Sequence, residues 1–329
     1  MKWRIIQLLR YHFIPALAFA ALLAGQTDIQ EKPDIQVNVE LVTVASSVTD
    51  HNGAPVRNLT LADFNLSDDG QPREISNVWQ ESDLPLTVAL IADVSGSQTG
   101  YVKDHREAIA QFLKQVIGPR DRAMIVQVAQ QAWLVSDLTS SQEALDAALE
   151  KIGTHQGKQA RLVGPTCRNA RVPHSCGGTA LWHGLYHTAM ALKKIPGRKA
   201  IVVLSDGIDT GSDVSVTDAV EAAQSAEAVV YSIKYSSPAR FLSIGAMVAE
   251  AVSHGLERVD RETGGLTFPN PGKKTAEVFS RIETDLRGMY VLGFTPPPEA
   301  RDGKFHKLEV KTTRGNVVVR SRAGYFAPG

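Results

Sequence analysis

The stretch Leu86-Thr87-Val88-Ala89-Leu90-Ile91-Ala92-Asp93-Val94-Ser95-Gly96-Ser97 joins an apolar strand, Leu86 to Ala92, to one Asp and two Ser on alternate residues. Alternate residues of an extended segment point the same way. The side chains at 93, 95 and 97 therefore converge above the strand tip. Three oxygens so placed suit a hard cation such as Mg²⁺, which takes few charged ligands, keeps water and leaves a vacancy for a partner's oxygen. Asp-x-Ser-x-Ser is a common pattern by itself, and two later features give it weight. Gly177-Gly178-Thr179 opens a helix, and a second strand, Ala200 to Leu204, ends in Ser205-Asp206-Gly207.

The succession of elements around this stretch sets the fold class. Strand 86–92 is followed by a helix with Ile109, Phe112, Leu113 and Val116 on one face, stopped by Gly118-Pro119. Met124–Val128 reads as a strand and Trp133–Val135 as its short companion. Ser140 with Glu143 reads as a capping box for a helix through Leu145, Leu149 and Ile152. The helix after Thr179 carries Leu181, Leu185 and Leu192. Strand 200–204, helix 217–228, strand 229–235, helix 238–253, a short strand at 266–268 and helix 273–287 complete the alternation. Strands alternating with helices of this length predict an α/β, doubly wound, mostly parallel sheet. Ligands of such sheets sit beyond the carboxyl ends of the strands, where Asp93 and Asp206 fall.

Both flanks are β-patterned. Val37, Val39 and Leu41 alternate, Val42, Val44 and Val48 follow on a shifted face, and Asn52-Gly53 marks a turn. Short strands are expected at 64–66 and 75–79, and after residue 288 at 289–294, 308–310 and 317–319. Each flank is too small to bury a core alone. The two are expected to meet as one small β-sandwich with the α/β domain inserted between them. The expected boundaries are an export signal at 1–25, an N-terminal β segment at 26–84, the α/β domain at 85–287 and a C-terminal β segment at 288–329.

Composition narrows the function. Among 329 residues Lys plus Arg and Asp plus Glu each number 35, which argues neither for nucleic acid nor for an acidic partner, and no nucleic-acid partner is expected. Lys2, Arg4 and Arg10 precede the apolar run Phe13 to Ala24, and no acid occurs before Asp28. That is the pattern of a secretory signal, too short to span a bilayer comfortably. The expected location is the periplasm, cell envelope or exterior, with membrane attachment only if the segment stays uncleaved. Export makes a Cys167–Cys176 disulfide the natural expectation. The connection 153–178 holds Lys158, Arg161, Arg168 and Arg171 and no acid; Arg168 and Arg171 are expected at the rim of the metal site, facing an acidic partner. His183 and His187 have the spacing of a zinc pair, but Gly184 stands where a zinc protease has Glu, so an exposed helix face is expected. Asp209 and Asp213 read as solvated turn residues. Ser205-Asp206-Gly207 lacks the frame of a hydrolase nucleophile elbow, and no Gly-rich phosphate loop is present. No enzymatic activity and no small-molecule substrate are expected.

Asp93, Ser95 and Ser97, then Thr179, then Asp206, in that order, resemble the metal-ion-dependent adhesion site of von Willebrand factor A domains, over about residues 85–287. Several phrases outside that range extend the resemblance to the exported von Willebrand factor A-related proteins typical of Acidobacteria. They are Val48-Thr49-Asp50-His51-Asn52-Gly53-Ala54-Pro55-Val56, Asp63-Phe64 with Asp68-Asp69-Gly70, Tyr290-Val291-Leu292-Gly293-Phe294, and Arg322-Ala323-Gly324-Tyr325-Phe326. The resemblance implies that Ser95 and Ser97 bind the metal through their hydroxyls. Thr179, Asp93 and Asp206 would bind it directly or through water. Mg²⁺ is the implied ion, with Mn²⁺ or Ca²⁺ as substitutes, and the implied partner is a protein presenting Asp or Glu. An envelope scaffold with a purely structural metal, and a metal-dependent hydrolase, are the alternatives.

Overall fold

The computed structural model describes residues 41–80, 85–154, 161–162, 178–235, 254–269 and 271–327. The expected export signal, helix 238–253, and Cys167, Cys176, Arg168 and Arg171 lie outside these residues. The N-terminal flank forms β1 (Val42–Asp50), β2 (Phe64–Asp68), β3 (Gln71–Arg73) and β4 (Asn77–Gln80). The α/β part follows as β5 (Leu86–Asp93), α1 (Val102–Val116), β6 (Arg122–Val128), β7 (Ala132–Thr139), α2 (Gln142–Leu149) and β8 (Arg161–Leu162). It continues through α3 (Leu181–Leu192), β9 (Arg198–Ser205), α4 (Val216–Ser225), β10 (Ala228–Lys234), α5 (Gly255–Thr263), β11 (Thr267–Phe268) and α6 (Thr275–Gly288). The C-terminal flank adds β12 (Tyr290–Phe294), β13 (Phe305–Thr312), β14 (Val317–Ser321) and β15 (Gly324–Phe326).

β5 and β9 are buried at every residue, as central strands covered on both faces must be. They lie in a seven-stranded sheet of order β11-β10-β9-β5-β6-β7-β8. β5, β6, β9, β10 and β11 run parallel, and β7 and β8 are antiparallel additions at one edge. α1, α2 and α6 cover one face through Ile109, Phe112, Leu145, Phe279 and Ile282. α3, α4 and α5 cover the other through Leu181, Leu185, Ala223, Leu256 and Val259. From β5 the chain winds outward to β6, then returns and winds the other way through β9 and β10. The strand order therefore reverses between β5 and β9, and the crevice of a doubly wound sheet opens there.

Two local expectations are corrected. The N-cap of α2 is Ser141, whose hydroxyl accepts from Ala144 N at 3.2 Å, so the capping box expected at Ser140 does not form. α5 was not foreseen, because beside Leu256 and Val259 it buries two polar residues, Asp260 and Thr263. The Asp260 carboxylate accepts from Ser232 Oγ at 2.9 Å and Thr267 Oγ1 at 2.5 Å. Burial nevertheless holds its pKa well above the usual carboxylate range.

The two flanks share one core. Sheet β14-β1-β12-β4 packs on sheet β15-β13-β2-β3 around Val44, Leu66, Leu292, Phe294, Leu308 and Tyr325. The α/β part is thus inserted into a β-sandwich built from both ends of the described chain. β4 and β12 pair antiparallel from Asn77↔Gly293 to Gln80↔Tyr290, so the chain leaves and re-enters the sandwich on neighbouring strands. Tyr290 secures that edge by accepting from Leu59 N at 3.1 Å and donating to the Val56 carbonyl at 3.0 Å. Gly324 lies so close to β13 that a Cβ would strike the Phe305 ring and the His306 carbonyl.

A buried polar junction joins insertion to sandwich. Asp285 on α6 accepts from Ser47 on β1 at 2.5 Å, from the Tyr231 hydroxyl on β10 at 2.7 Å and from Arg320 on β14 at 2.5 Å. Its side chain is 4% exposed, and that of Arg320 16%. Removing one partner of a buried pair leaves the other charge uncompensated, at a cost of about 3–5 kcal/mol. Asp285→Ala is therefore expected to lower unfolding stability by that amount in urea denaturation. A loss below about 1 kcal/mol, the range of solvent-exposed pairs, would show that the junction is not an energetic link.

Candidate metal centre

The site is assembled at the reversal point of the sheet. Asp93 is the last residue of β5, and Asp206 follows the last residue of β9. These strands pair in parallel up to Ala92↔Leu204, which sets Ser205 level with Asp93 and Asp206 one residue beyond, near enough for its charge to act on Asp93. Asp93 is fully buried and Asp206 3% exposed. Asp93 Oδ1 accepts from Ser95 N at 2.9 Å, and its Oδ2 accepts from Ser205 Oγ at 2.6 Å. Burial pushes the Asp93 carboxyl up to about 6 against these hydrogen bonds, and the negative charge of Asp206 adds to the rise. A cation held between the carboxylates would offset both effects.

After Asp93 the backbone turns into a short 3₁₀ helix, Gly96–Tyr101, with Ser95 at its start. This turn brings Ser95 Oγ within 3.3 Å of Ser97 Oγ, with Ser95 buried and Ser97 exposed. Thr179 comes from the segment entering α3 and is tethered on two sides. Its carbonyl accepts from Thr210 N at 3.1 Å and Gly211 N at 2.9 Å, in the loop after β9. Its neighbour Ala180 donates to the Ala129 carbonyl, just past β6, at 2.7 Å. Because β5 lies between β9 and β6, this double tether carries the Thr179 segment across the tip of β5. Asp93, Ser95, Ser97, Thr179 and Asp206 are thereby gathered at one end of the sheet, with a donor set of carboxylate and hydroxyl oxygens alone. Such a set fits a hard divalent cation.

The structure adds residues that the sequence did not single out. Ser205 fixes Oδ2 of Asp93; its only trace in the sequence is a hydroxyl directly after the apolar run Ala200 to Leu204. Thr210 Oγ1 accepts from Thr179 N at 3.2 Å. Asp209, expected as a solvated turn residue, is instead half-buried and caps α3 by accepting from Trp182 N at 2.9 Å, and Ser212 Oγ accepts from His183 N at 2.9 Å. α3 has Ala180 at its own N-cap position and depends on these outside acceptors. His105 is fully buried against Tyr101 and Tyr235, and burial holds it down to about 4. At neutral pH it is uncharged and places no positive charge behind the carboxylates.

The expected exposed face for His183 is corrected. His183 is 5% exposed, with Nδ1 2.7 Å from Asp213 Oδ1, because the loop after β9 folds over this end of α3. His187 is half-buried beside it, with ring centroids 4.5 Å apart. Gly184 faces β6 so closely that a Cβ would overlap Val128. A Glu at this position has no room.

No family model matches the sequence, and no curated protein matches it. Similar solved structures include an aerotolerance-related membrane protein from Bacteroides fragilis, 13% identical, covering 61% of this chain and 98% of that chain at a TM-score of 0.41. A PilB minor pilin from Streptococcus sanguinis is 15% identical, covering 64% and 62% at a TM-score of 0.43. Proximal thread matrix protein 1 from the mussel byssus, with a zinc-occupied MIDAS motif, is 12% identical, covering 67% and 49% at 0.44. No activity, ligand or partner passes from these proteins to this chain.

Ser205 gives the site its test. Losing a hydrogen-bond partner that orients a metal ligand typically costs about 10–100-fold in affinity. Ser205→Ala is expected to weaken Mn²⁺ binding by that factor in calorimetry, with an unchanged circular dichroism spectrum. Unaltered affinity would remove Ser205 from the site.

Proposed function

We propose that this chain is an exported, non-enzymatic binding module in which Asp93, Ser95, Ser97, Thr179 and Asp206 hold one divalent cation, Mg²⁺ by preference. The carrying observation is two buried carboxylates at adjacent strand ends, at the reversal point of the sheet, with hydroxyl-bearing residues gathered around them. When bound, the ion supplies an electrophilic vacancy for an Asp or Glu side chain of a protein partner. Neutral Ser and Thr hydroxyls leave much of the positive charge unquenched, which favours an anionic sixth ligand. Asp93 and Asp206 orient the shell, and Ser205 keeps Asp93 turned inward. His105 supports a binding role over a hydrolytic one: buried behind the strand, it is out of reach of a substrate and cannot serve as general base. Export rests on the N-terminal basic and apolar pattern, and among the described residues no helix is long and apolar enough to cross a membrane.

Asp93→Ala is expected to abolish Mg²⁺ and Mn²⁺ binding in calorimetric titration while the chain stays folded by circular dichroism. Identical titrations for wild type and variant would overturn the assignment. With wild-type protein as bait in an envelope extract, EDTA is expected to release partners that Asp93→Ala also fails to capture. Partners retained in EDTA would make the metal structural and the module a scaffold.

A further inference from the structure

A second cluster of ligand atoms lies in the sandwich, away from the sheet tip. β2 ends at Asp68, and Asp69-Gly70 make the turn into β3, with φ of +49° and +78°. Two positive φ values in succession suit a two-residue hairpin turn. β13 pairs with β2 beyond this point: Asp69 N donates to the Lys307 carbonyl at 2.8 Å, and Lys307 N to Asp69 Oδ1 at 2.9 Å. Asp69 Oδ2 is left 2.9 Å from His306 Nδ1. Asp68 is 1% exposed. Its Oδ2 accepts from Arg73 Nε and from the Tyr325 hydroxyl, each at 3.4 Å. Its Oδ1 is buried with no hydrogen-bond partner, 3.9 Å from His306 Nδ1. On the far side of the ring, His306 Nε2 is 3.1 Å from Asp302 Oδ1, which Lys304 N also holds at 2.9 Å.

We infer that Asp68, Asp69 and His306 form a second metal site, one that takes Zn²⁺. The ligand atoms lie within 4.8 Å of one another. When Nε2 carries the proton and donates to Asp302, the imidazole turns a lone pair on Nδ1 towards two carboxylate oxygens, a gap that a cation can fill. A proton on Nδ1 serves Asp69 alone and strands Asp68 Oδ1, whereas leaving a buried acceptor unpaired is costly. One metal ion serves all three atoms. Zinc binds nitrogen and oxygen at about 2.0–2.2 Å in a tetrahedron, which separates its ligands by about 3.3 Å, between the 2.9 and 3.9 Å observed. An imidazole with two carboxylates suits zinc better than magnesium. Asp302 occupies the place of the outer carboxylate that orients a zinc-bound His. The exposed sides of Asp69 and Asp302 leave a path for entry and a position for water. Asp69 and His306 stand 237 residues apart, so the ion ties the N-terminal flank to the C-terminal one.

The inference does not depend on the sheet-tip site, and its test removes that site. In full-length Asp93→Ala protein, Zn²⁺ alone is expected to bind at one site per chain by calorimetry and to raise the thermal midpoint. Mg²⁺ at the same concentration should not. Adding Asp69→Asn or His306→Gln is expected to weaken zinc binding more than tenfold and erase the thermal shift. Asp69 is exposed, and Asn tolerates its positive φ, so that variant carries the test should His306→Gln fail to fold. Zinc binding unchanged by Asp69→Asn, or no zinc bound by the Asp93→Ala chain, would overturn the inference.

Discussion

The carboxylate of Asp285 takes donors from three elements that chain order keeps far apart: Ser47 on β1, Tyr231 on β10 and Arg320 on β14. A charge this deeply buried is tolerable only when paired and hydrogen-bonded. All three donors are met only if β1 and β14 pair in register, Ser47 against Arg320, while α6 lies across them. Arg322, just past the end of β14, adds a second link. It donates to the Thr43 carbonyl at 2.6 Å and to the Gln224 carbonyl near the end of α4 at 3.3 Å. The insertion is docked on the sandwich by charges that have one satisfactory arrangement. The inserted α/β part is consequently held at a fixed attitude to the sandwich.

The α/β order was legible because its strands are continuous apolar runs and its helices have apolar stripes. Both patterns are local, and so is the motif that follows β5. Asp93, Asp206 and Thr179 could be named because each sits at the junction of one element and the next. What escaped depends on pairing between distant segments. α5 escaped because half of what it buries is polar and finds its partners on β10 and β11. Ser205 looked like a strand end until β5 lay beside it. His183 looked exposed on the helix stripe alone, and a loop thirty residues on in sequence covers it, through Asp213. The Asp68-Asp69-Gly70 turn was visible, but nothing local to it announces the imidazole that β13 brings to it.

The two oxygen-rich places on the molecule differ in kind. At the sheet tip every available donor is oxygen, and part of the setting comes from backbone loops beyond strand ends. In the sandwich a nitrogen is present and the donors sit on paired strands, where backbone hydrogen bonds fix their spacing. Hard and borderline ions are sorted by such differences in donor type more than by raw affinity.

The pairing of β12 has a mechanical consequence. β1 and β12 run antiparallel from Val42↔Phe294 to Ser46↔Tyr290. A pull on the insertion that travels along the backbone out of α6 enters β12 at Tyr290. If the pull is resisted where β1 begins, the two loaded ends lie at opposite ends of the paired segment. Its inter-strand hydrogen bonds are perpendicular to the strands, so the load shears them together instead of peeling them one by one. A sandwich threaded in this way resists extension between the inserted α/β part and the start of β1.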